Sequence, residues 1–196
     1  MTAEALSVGG WPVRSFTVSD FRALGEPDSG YVELVEGNLV MAASPRPRHG
    51  RATMILGSYL DSVLPAELVV IPDIDVDLQL VEPEGPGTVR RPDLAVVTTA
   101  AYERAERENE LLRARDVVLA VEIASPGSVR TDHVAKRSEY ADAGIPHYWI
   151  VDLEERVTLT ACHLGGEFGY VDAGPAAGVV AVTEPFVAEI DLDRLL

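Results

Sequence analysis

Lysine is nearly missing from this chain. Of its 16 basic residues only Lys136 is a lysine, and the rest are arginine. One position keeping lysine against that bias points to a task needing a compact charge on a thin, flexible stem, although a leftover surface residue has the same signature. Cysteine is reduced to Cys162, which excludes an intrachain disulfide and leads us to expect a cytoplasmic protein. Its setting, "TLTACHL", reads as core rather than as a nucleophile's. Positive charge is scarce altogether: 16 basic residues face 32 acidic ones, a formal net charge of -16. Such a field repels phosphates at a distance and argues against loose binding to nucleic acid or anionic membrane, while leaving a locally basic site open. No apolar run is long enough to span a bilayer. The opening "MTAEALSVGGWPVRS" lacks the basic start and apolar stretch of an export signal. There is no repeat, no glycine-rich phosphate loop and no nucleophile elbow.

What remains is a chain of 196 residues, 47% hydrophobic, enough for one well-buried domain. We expect a flexible segment over 1–15 and a single domain over 16–196. "TVSDFRALGE" reads as a short helix capped by Thr17 or Ser19 and closed near Gly25. "YVELVEGNLVMA" reads as a hairpin turning at Gly37-Asn38. Ala52, Leu56, Tyr59 and Val63 recur at helical spacing within "RHGRATMILGSYLDSVL". "LVVIPDIDVDLQL" and "TVRRPDLAVVT" read as strands, and "YERAERENELLRARD" as partly helical. After "VVLAVEIA", Pro126-Gly127 ends the strand. "TDHVAKRSEYADAG" follows as a helix starting at Thr131 or Asp132 and closed by Gly144. "HYWIVD", "RVTLTACHL", "FGYVDAG" and "GVVAVTE" make a β-rich end. Helices set within a run of strands give an α/β (α+β) fold: a mixed sheet flanked by helices, with extra hairpins.

Glu122 stands out. It is the one charge in the apolar strand "VVLAVEIA", where a lone ionised carboxylate costs several kcal/mol by general estimates, on the order of 3 or more. Asp93 heads another apolar strand after Pro92. If the two strands are neighbours, a divalent cation turns the repulsion between the carboxylates into coordination, and hard oxygen ligands suit Mg²⁺ or Mn²⁺. Asp132, Lys136 and Tyr140 lie at i, i+4 and i+8 and share a helix face, which can bring the ammonium to the carboxylates. Each residue also has a plain structural explanation: Asp93 and Asp132 as caps, Glu122 paired with a core arginine, Tyr140 as core aromatic.

Asp73, Asp75 and Asp77 in "DIDVD" share a strand face, more readily a solvated face than a metal cluster. His133, His147 and His163 show no ligand spacing. Arg46, Arg48 and Arg51, Arg90 and Arg91, and Arg130 and Arg137 flank the candidate residues and are open between a phosphate-binding rim and ordinary solvated arginines.

The segments "YVELVEGNLVMAASP", "HGRATMILGSYL", "RRPDLAVV" and "VVLAVEIASPGSVRTDHVAKRSEYADAGIPHYWIVD" resemble, in order, the Uma2 family of endonucleases, over roughly residues 17 to 160. The resemblance implies a restriction-endonuclease-like fold of the PD-(D/E)xK type and a Mg²⁺- or Mn²⁺-dependent hydrolysis of phosphodiester bonds. It implies catalytic roles for Glu33, Asp93, Glu122 and Lys136. Asp93 and Glu122 would hold the metal, with the peptide oxygen of Ile123 as a further ligand. Glu33 would complete the site through a second ion or a metal-bound water. The usual pattern has lysine two residues after the second acid; here that residue is Ala124, and Lys136 stands for a lysine moved onto the next helix. His49, Asp132 and Tyr140 are accessory candidates. The expected substrate is DNA, and a homodimer is expected from apolar surface in "HYWIVD" and the C-terminal strands. The alternative is a non-catalytic interaction protein that keeps the fold, which the acidity of the chain favours.

Overall fold

The computed structural model describes residues 7–8, 11–12, 15–25, 30–42, 45–125, 128–154, 156–165 and 169–196. In chain order the elements are β1 (Ser7–Val8), β2 (Trp11–Pro12), α1 (Val18–Leu24), β3 (Tyr31–Val35), β4 (Asn38–Ala42) and α2 (Pro47–Val63). Then come β5 (Leu68–Pro72), β6 (Val76–Asp77), β7 (Val89–Arg90), β8 (Leu94–Thr98), α3 (Thr99–Glu108), β9 (Leu112–Arg113) and β10 (Val117–Ala124). A π-helical segment, Thr131–Lys136, runs into α4 (Arg137–Asp142). The C-terminal part holds β11 (His147–Asp152), β12 (Thr158–Leu164), β13 (Tyr170–Asp172), β14 (Ala176–Ala177), β15 (Val179–Val182) and β16 (Ala188–Asp191).

The central sheet has the order β13-β12-β11-β10-β8-β5, with β14 added on β12. Only β10 and β11 run parallel in it, joined by the crossover that carries α4. A second sheet, β4-β3-β7-β6-β9, stands beside it. The chain passes from the second sheet to the first between β7 and β8, at Arg91–Asp93. This mixed α+β architecture is the expected fold class.

Alternation along β10 divides its side chains between two cores. Leu119, Val121 and Ile123 pack with Leu56 and Leu60 of α2 and with Trp149. Ala120 and Ala124 face the other way, in a cluster with Tyr140 and Tyr148. Glu122 belongs by parity to that second face. The alanines on either side of it leave room for the aromatic rings.

Several local expectations hold. Thr17 caps α1 in a capping box with Asp20, Gly25 follows the helix, and the alternative cap, Ser19, lies within it. α2 buries Ala52, Leu56 and Leu60, with Tyr59 and Val63 half-buried. Others are corrected. The β3–β4 turn is Glu36-Gly37, one residue earlier than expected, because both residues take positive φ (47° and 75°) as a tight hairpin turn demands. Asn38 instead begins β4 and donates its side-chain amide to the carbonyls of Val35 and Glu36. "LVVIPDIDVDLQL" is two strands in two sheets, because Asp73 takes φ 48° and breaks the run. The aspartates of "DIDVD" therefore share no strand face: Asp75 pairs with Arg91, and the Asp77 side chain accepts from the Gln79 N–H. The helix after β10 begins before Thr131, so neither Thr131 nor Asp132 caps it. β11 is an interior strand whose Tyr148–Val151 stretch is buried, so "HYWIVD" offers no apolar surface. Pro126-Gly127 and most of the segment expected to be flexible over 1–15 lie outside the described residues. No helix among the described residues is long and apolar enough to cross a membrane.

Candidate active site

β8 and β10 are antiparallel neighbours, with Leu94 opposite Val121, so the residues next in line, Asp93 and Glu122, meet at the end of the ladder. The chain leaves β8 there, and the Ile123 N–H, which has no further strand to pair with, donates to Asp93 Oδ2 at 2.6 Å. In an extended strand the carbonyl of a residue points to the same side as its N–H, so the Ile123 peptide oxygen also faces the open end beyond β8. His49, in the first turn of α2, sets its Nε2 3.1 Å from Asp93. That hydrogen bond raises the His49 pKa, against the pull of burial, with the charge of Asp93 adding to it. The other ring nitrogen, Nδ1, is buried without a partner among the described residues.

Glu122 is 3% exposed. Lys136 donates to its Oε1 at 2.8 Å, and the Tyr140 hydroxyl donates to the same oxygen at 2.8 Å. Burial, seconded by the negative charges of Asp93 and Asp132, pushes the Glu122 carboxyl well above its ordinary range, and Lys136 pulls against it. Lys136 is itself buried, which works against its charge. Glu122, Glu33 and Asp132 outweigh that and hold it above the ordinary lysine value. Its Nζ is 3.5 Å from Glu33 Oε1 and 3.9 Å from Asp132 Oδ1. Asp132 and Lys136, at the i and i+4 positions of the π-helical segment, are both buried. Asp132 is pushed up by burial, with Lys136 opposing.

Glu33, on β3, comes from the second sheet. Its Oε2 accepts from Arg90 Nη1 at 2.8 Å and its Oε1 from the Arg91 backbone N–H at 3.0 Å. Burial raises this carboxyl, but Lys136, Arg90 and the Arg91 N–H together hold it below its ordinary value.

These groups line one cleft of about 440 Å³, whose wall includes Glu33, His49, Asp93, Glu122, Asp132 and Lys136. Ile123 also lines it. The structure thus brings together every sequence-derived candidate but one: Tyr140 is fully buried behind Glu122, so it touches the acid and is not available to a phosphate. Most of the arginines left open between a phosphate rim and solvated side chains are committed to partners in the fold. Arg90 pairs with Glu33 and Glu139, Arg91 with Asp75, and Arg137 with Asp172. Arg48 and Arg51 donate to main-chain carbonyls of Glu154 and Leu196. Arg46 lines the cleft and Arg130 is exposed at the start of the helix that carries Lys136. The remaining histidines stand apart: His133 pairs with Asp152, and His147 lies opposite His163 across β11 and β12. Glu139, and the two hydrogen bonds of 2.6 and 2.7 Å that join it to Arg90, are what sequence reasoning missed. Their only advance signal is position: Arg90 lies just before the Pro92-Asp93 pair, and Glu139 one turn after Lys136.

Among the described residues no three His, Cys, Asp or Glu side chains are gathered as a ready metal cluster. The donor chemistry nevertheless fits a hard divalent cation. Both hydrogen bonds to Glu122 fall on Oε1, so Oε2 carries neither. Asp93 stands across the strand pair, and the Ile123 peptide oxygen faces the same opening. Glu33, Asp93, Glu122 and Asp132 outnumber the Lys136 ammonium and the Arg90 guanidinium that face them, so added positive charge is favoured here.

A crystal structure from Anabaena variabilis ATCC 29413, described as "a putative nuclease belonging to DUF820", has the same fold. Its TM-score is 0.70 at 20% sequence identity, over 92% of this chain and 97% of that one. No curated protein matches. The model of the Uma2 family, described as "Putative restriction endonuclease", matches residues 18–193, nearly the whole chain, and the chain therefore belongs to the Uma2 family.

Proposed function

We propose that this protein is a metal-dependent endonuclease that hydrolyses phosphodiester bonds in DNA. The observation that carries the reading is the meeting of Asp93, Glu122 and the Lys136 ammonium in one cleft, with Lys136 2.8 Å from Glu122. Asp93, Glu122 and the Ile123 peptide oxygen would hold Mg²⁺ or Mn²⁺, which when bound neutralises phosphate charge and acidifies a water. Lys136 orients the attacking water and offsets negative charge developing on the phosphoryl oxygens. His49 and the Ile123 N–H fix the Asp93 carboxylate, and Tyr140 fixes Glu122. Arg46, on the cleft wall, would meet a phosphate there. A cytoplasmic location and a homodimer complete the reading. The dimer rests on the prevalence of two-fold assembly and on exposed Val171, Val179 and Val187 in the C-terminal part; light scattering giving a monomer mass would remove it.

The net charge of -16 favours a second reading, a non-catalytic interaction protein that keeps the nuclease fold. One experiment separates them: incubation of supercoiled plasmid, single-stranded DNA and RNA with the protein in Mg²⁺, in Mn²⁺ and in EDTA, beside Asp93→Asn. Metal-dependent cleavage of DNA that Asp93→Asn abolishes supports the nuclease. Absence of cleavage of any substrate by the wild type, or cleavage indifferent to EDTA, sinks it.

A further inference from the structure

Resting on the nuclease reading, we propose that Glu33 is a positioning residue for Lys136 and not a ligand of the cation, and that Arg90 and Glu139 hold the two in place. This differs from the metal-completing task that family resemblance implies for Glu33.

Each Glu33 oxygen already accepts an N–H: Oε2 from Arg90 and Oε1 from the Arg91 main chain. Oε1 also faces Lys136 Nζ at 3.5 Å. Drawing Glu33 onto a metal would strip a buried guanidinium of one partner, and an unpaired buried charge is costly. Among the described residues the donors to Asp93 are His49 and the Ile123 N–H and those to Glu122 are Lys136 and Tyr140, with no buried arginine tied to either.

Arg90 is tied on two sides. It is 4% exposed and presents its planar fork to two carboxylates at once. One edge takes Glu33, and the other takes both oxygens of Glu139. Glu139 sits three residues after Lys136 in the same helical run. Arg90 thus fixes both the backbone that carries Lys136 and the carboxylate that faces its ammonium. A lysine has a flexible stem with considerable rotamer freedom. One standing on a helix rather than beside the acid on the strand needs its ammonium held from a second direction, and Glu33 supplies it from the other sheet.

The test separates metal affinity from turnover. Mn²⁺ binding without substrate is measured by calorimetry for wild type, Glu33→Gln, Glu139→Gln and Asp93→Asn, with folding checked by circular dichroism. DNA cleavage is then measured with kcat and KM resolved. We expect Glu33→Gln to keep Mn²⁺ affinity within about 3-fold of wild type. It loses about 100-fold in kcat, within the range of a misplaced catalytic group, with little change in KM. Glu139→Gln should lose less, about 10-fold, by the same route. Asp93→Asn should lose Mn²⁺ affinity by more than about 10-fold, as removal of a charged ligand does. If Glu33→Gln does not fold, Glu33→Asp takes its place: it keeps the charge on a shorter stem and should show the same split. Loss of Mn²⁺ affinity in the Glu33 variant as large as in Asp93→Asn overturns the proposal, and so does unchanged kcat. Failure of the wild type to bind Mn²⁺ or to cleave refutes the nuclease reading before any variant is compared, and the positioning role with it.

Discussion

Lys136 reaches across from its helix to place its ammonium 2.8 Å from Glu122, the only charged residue of β10. The pair supplies the compensation that a buried carboxylate requires. Its surroundings exclude a larger cation. Glu33, Asp132 and Glu122 all lie within 3.9 Å of Nζ, and the side chain is buried. A guanidinium keeps the charge but is planar and wider. Lys136→Arg should therefore fail almost as badly as Lys136→Ala, each losing about two to four orders of magnitude in cleavage rate. Asp93→Asn should differ in kind: raising Mn²⁺ should restore part of its activity and do little for Lys136→Arg. Plasmid cleavage across an Mn²⁺ series checks this, and wild-type rates in Lys136→Ala would end the assigned role.

Tyr140 adds the second hydrogen bond to Glu122 Oε1, at 2.8 Å, and packs edge-on to Tyr148 with ring centroids 5.2 Å apart. Tyr140→Phe keeps the packing and removes only the hydroxyl. A hydrogen bond to a buried carboxylate contributes about 1.5–3 kcal/mol, so the variant should melt at a lower temperature. Cleavage should fall far less than in Lys136→Ala, because Lys136 still holds the acid. Thermal melts and initial rates on the same preparation give both numbers. A rate as low as that of Lys136→Ala would mean that the hydroxyl, and not Lys136, is what holds the acid in place.

The site residues most visible in the sequence were those that broke a local pattern. Glu122 interrupts an apolar strand, Asp93 follows a proline at a strand entry, and Lys136 is the lone lysine. The supporting pairs broke no pattern. Arg90 meets Glu33 and Glu139 across 57 and 49 residues of chain, and nothing local to any of them records the contact. The choice between an arginine rim and solvated arginines stayed open in the sequence for the same reason, since a count of arginines does not say which ones a distant carboxylate has taken. Backbone detail was hidden where a residue took an uncommon conformation. Glu36 and Asp73 adopt positive φ without being glycine, which shifted a turn and split a strand. The π-helical segment changed the helix's phase while leaving its composition that of an ordinary helix.

Cys162 was expected in the core, and it is 2% exposed on β12. Burial pushes its thiol up to about 11, although the Arg137 guanidinium 3.0 Å away pulls the other way. The sign follows: the folded value lies above the ordinary one of 9.0, so the protonated thiol's contribution to stability is present below 9.0 and is lost as pH rises through about 11. At pH 8 the folded thiol should react with iodoacetamide about 100-fold more slowly than the urea-unfolded chain, or slower still given its burial. Mass spectrometry of timed alkylation checks it, and equal rates would show that the β12 face opens readily.

The last prediction moves the lysine. Ala124 lies on the same face of β10 as Glu122, two residues on, and is buried in the cluster that holds Tyr140 and Tyr148. Ala124→Lys alone should destabilise: the added stem overpacks a filled cluster, at a cost of about 1–3 kcal/mol before its charge is counted. In the Lys136→Ala background the position beside Glu122 is vacant. A lysine at 124 then has both the space for its ammonium and a carboxylate to pair with. Lys136→Ala with Ala124→Lys should therefore be more stable than Ala124→Lys alone, which is coupling between neighbouring sites. It should regain about 10-fold or more in cleavage over Lys136→Ala, a fraction of the contribution of a charged group near the reacting atoms. The recovery should stay incomplete, because Glu33 faces an ammonium arriving from the helix and not one arriving from the strand. Chemical denaturation and plasmid cleavage of the four variants in the cycle decide it. A folded double variant with no more activity than Lys136→Ala would mean that the lysine's place on the helix, and not merely its charge beside Glu122, is what the chemistry needs.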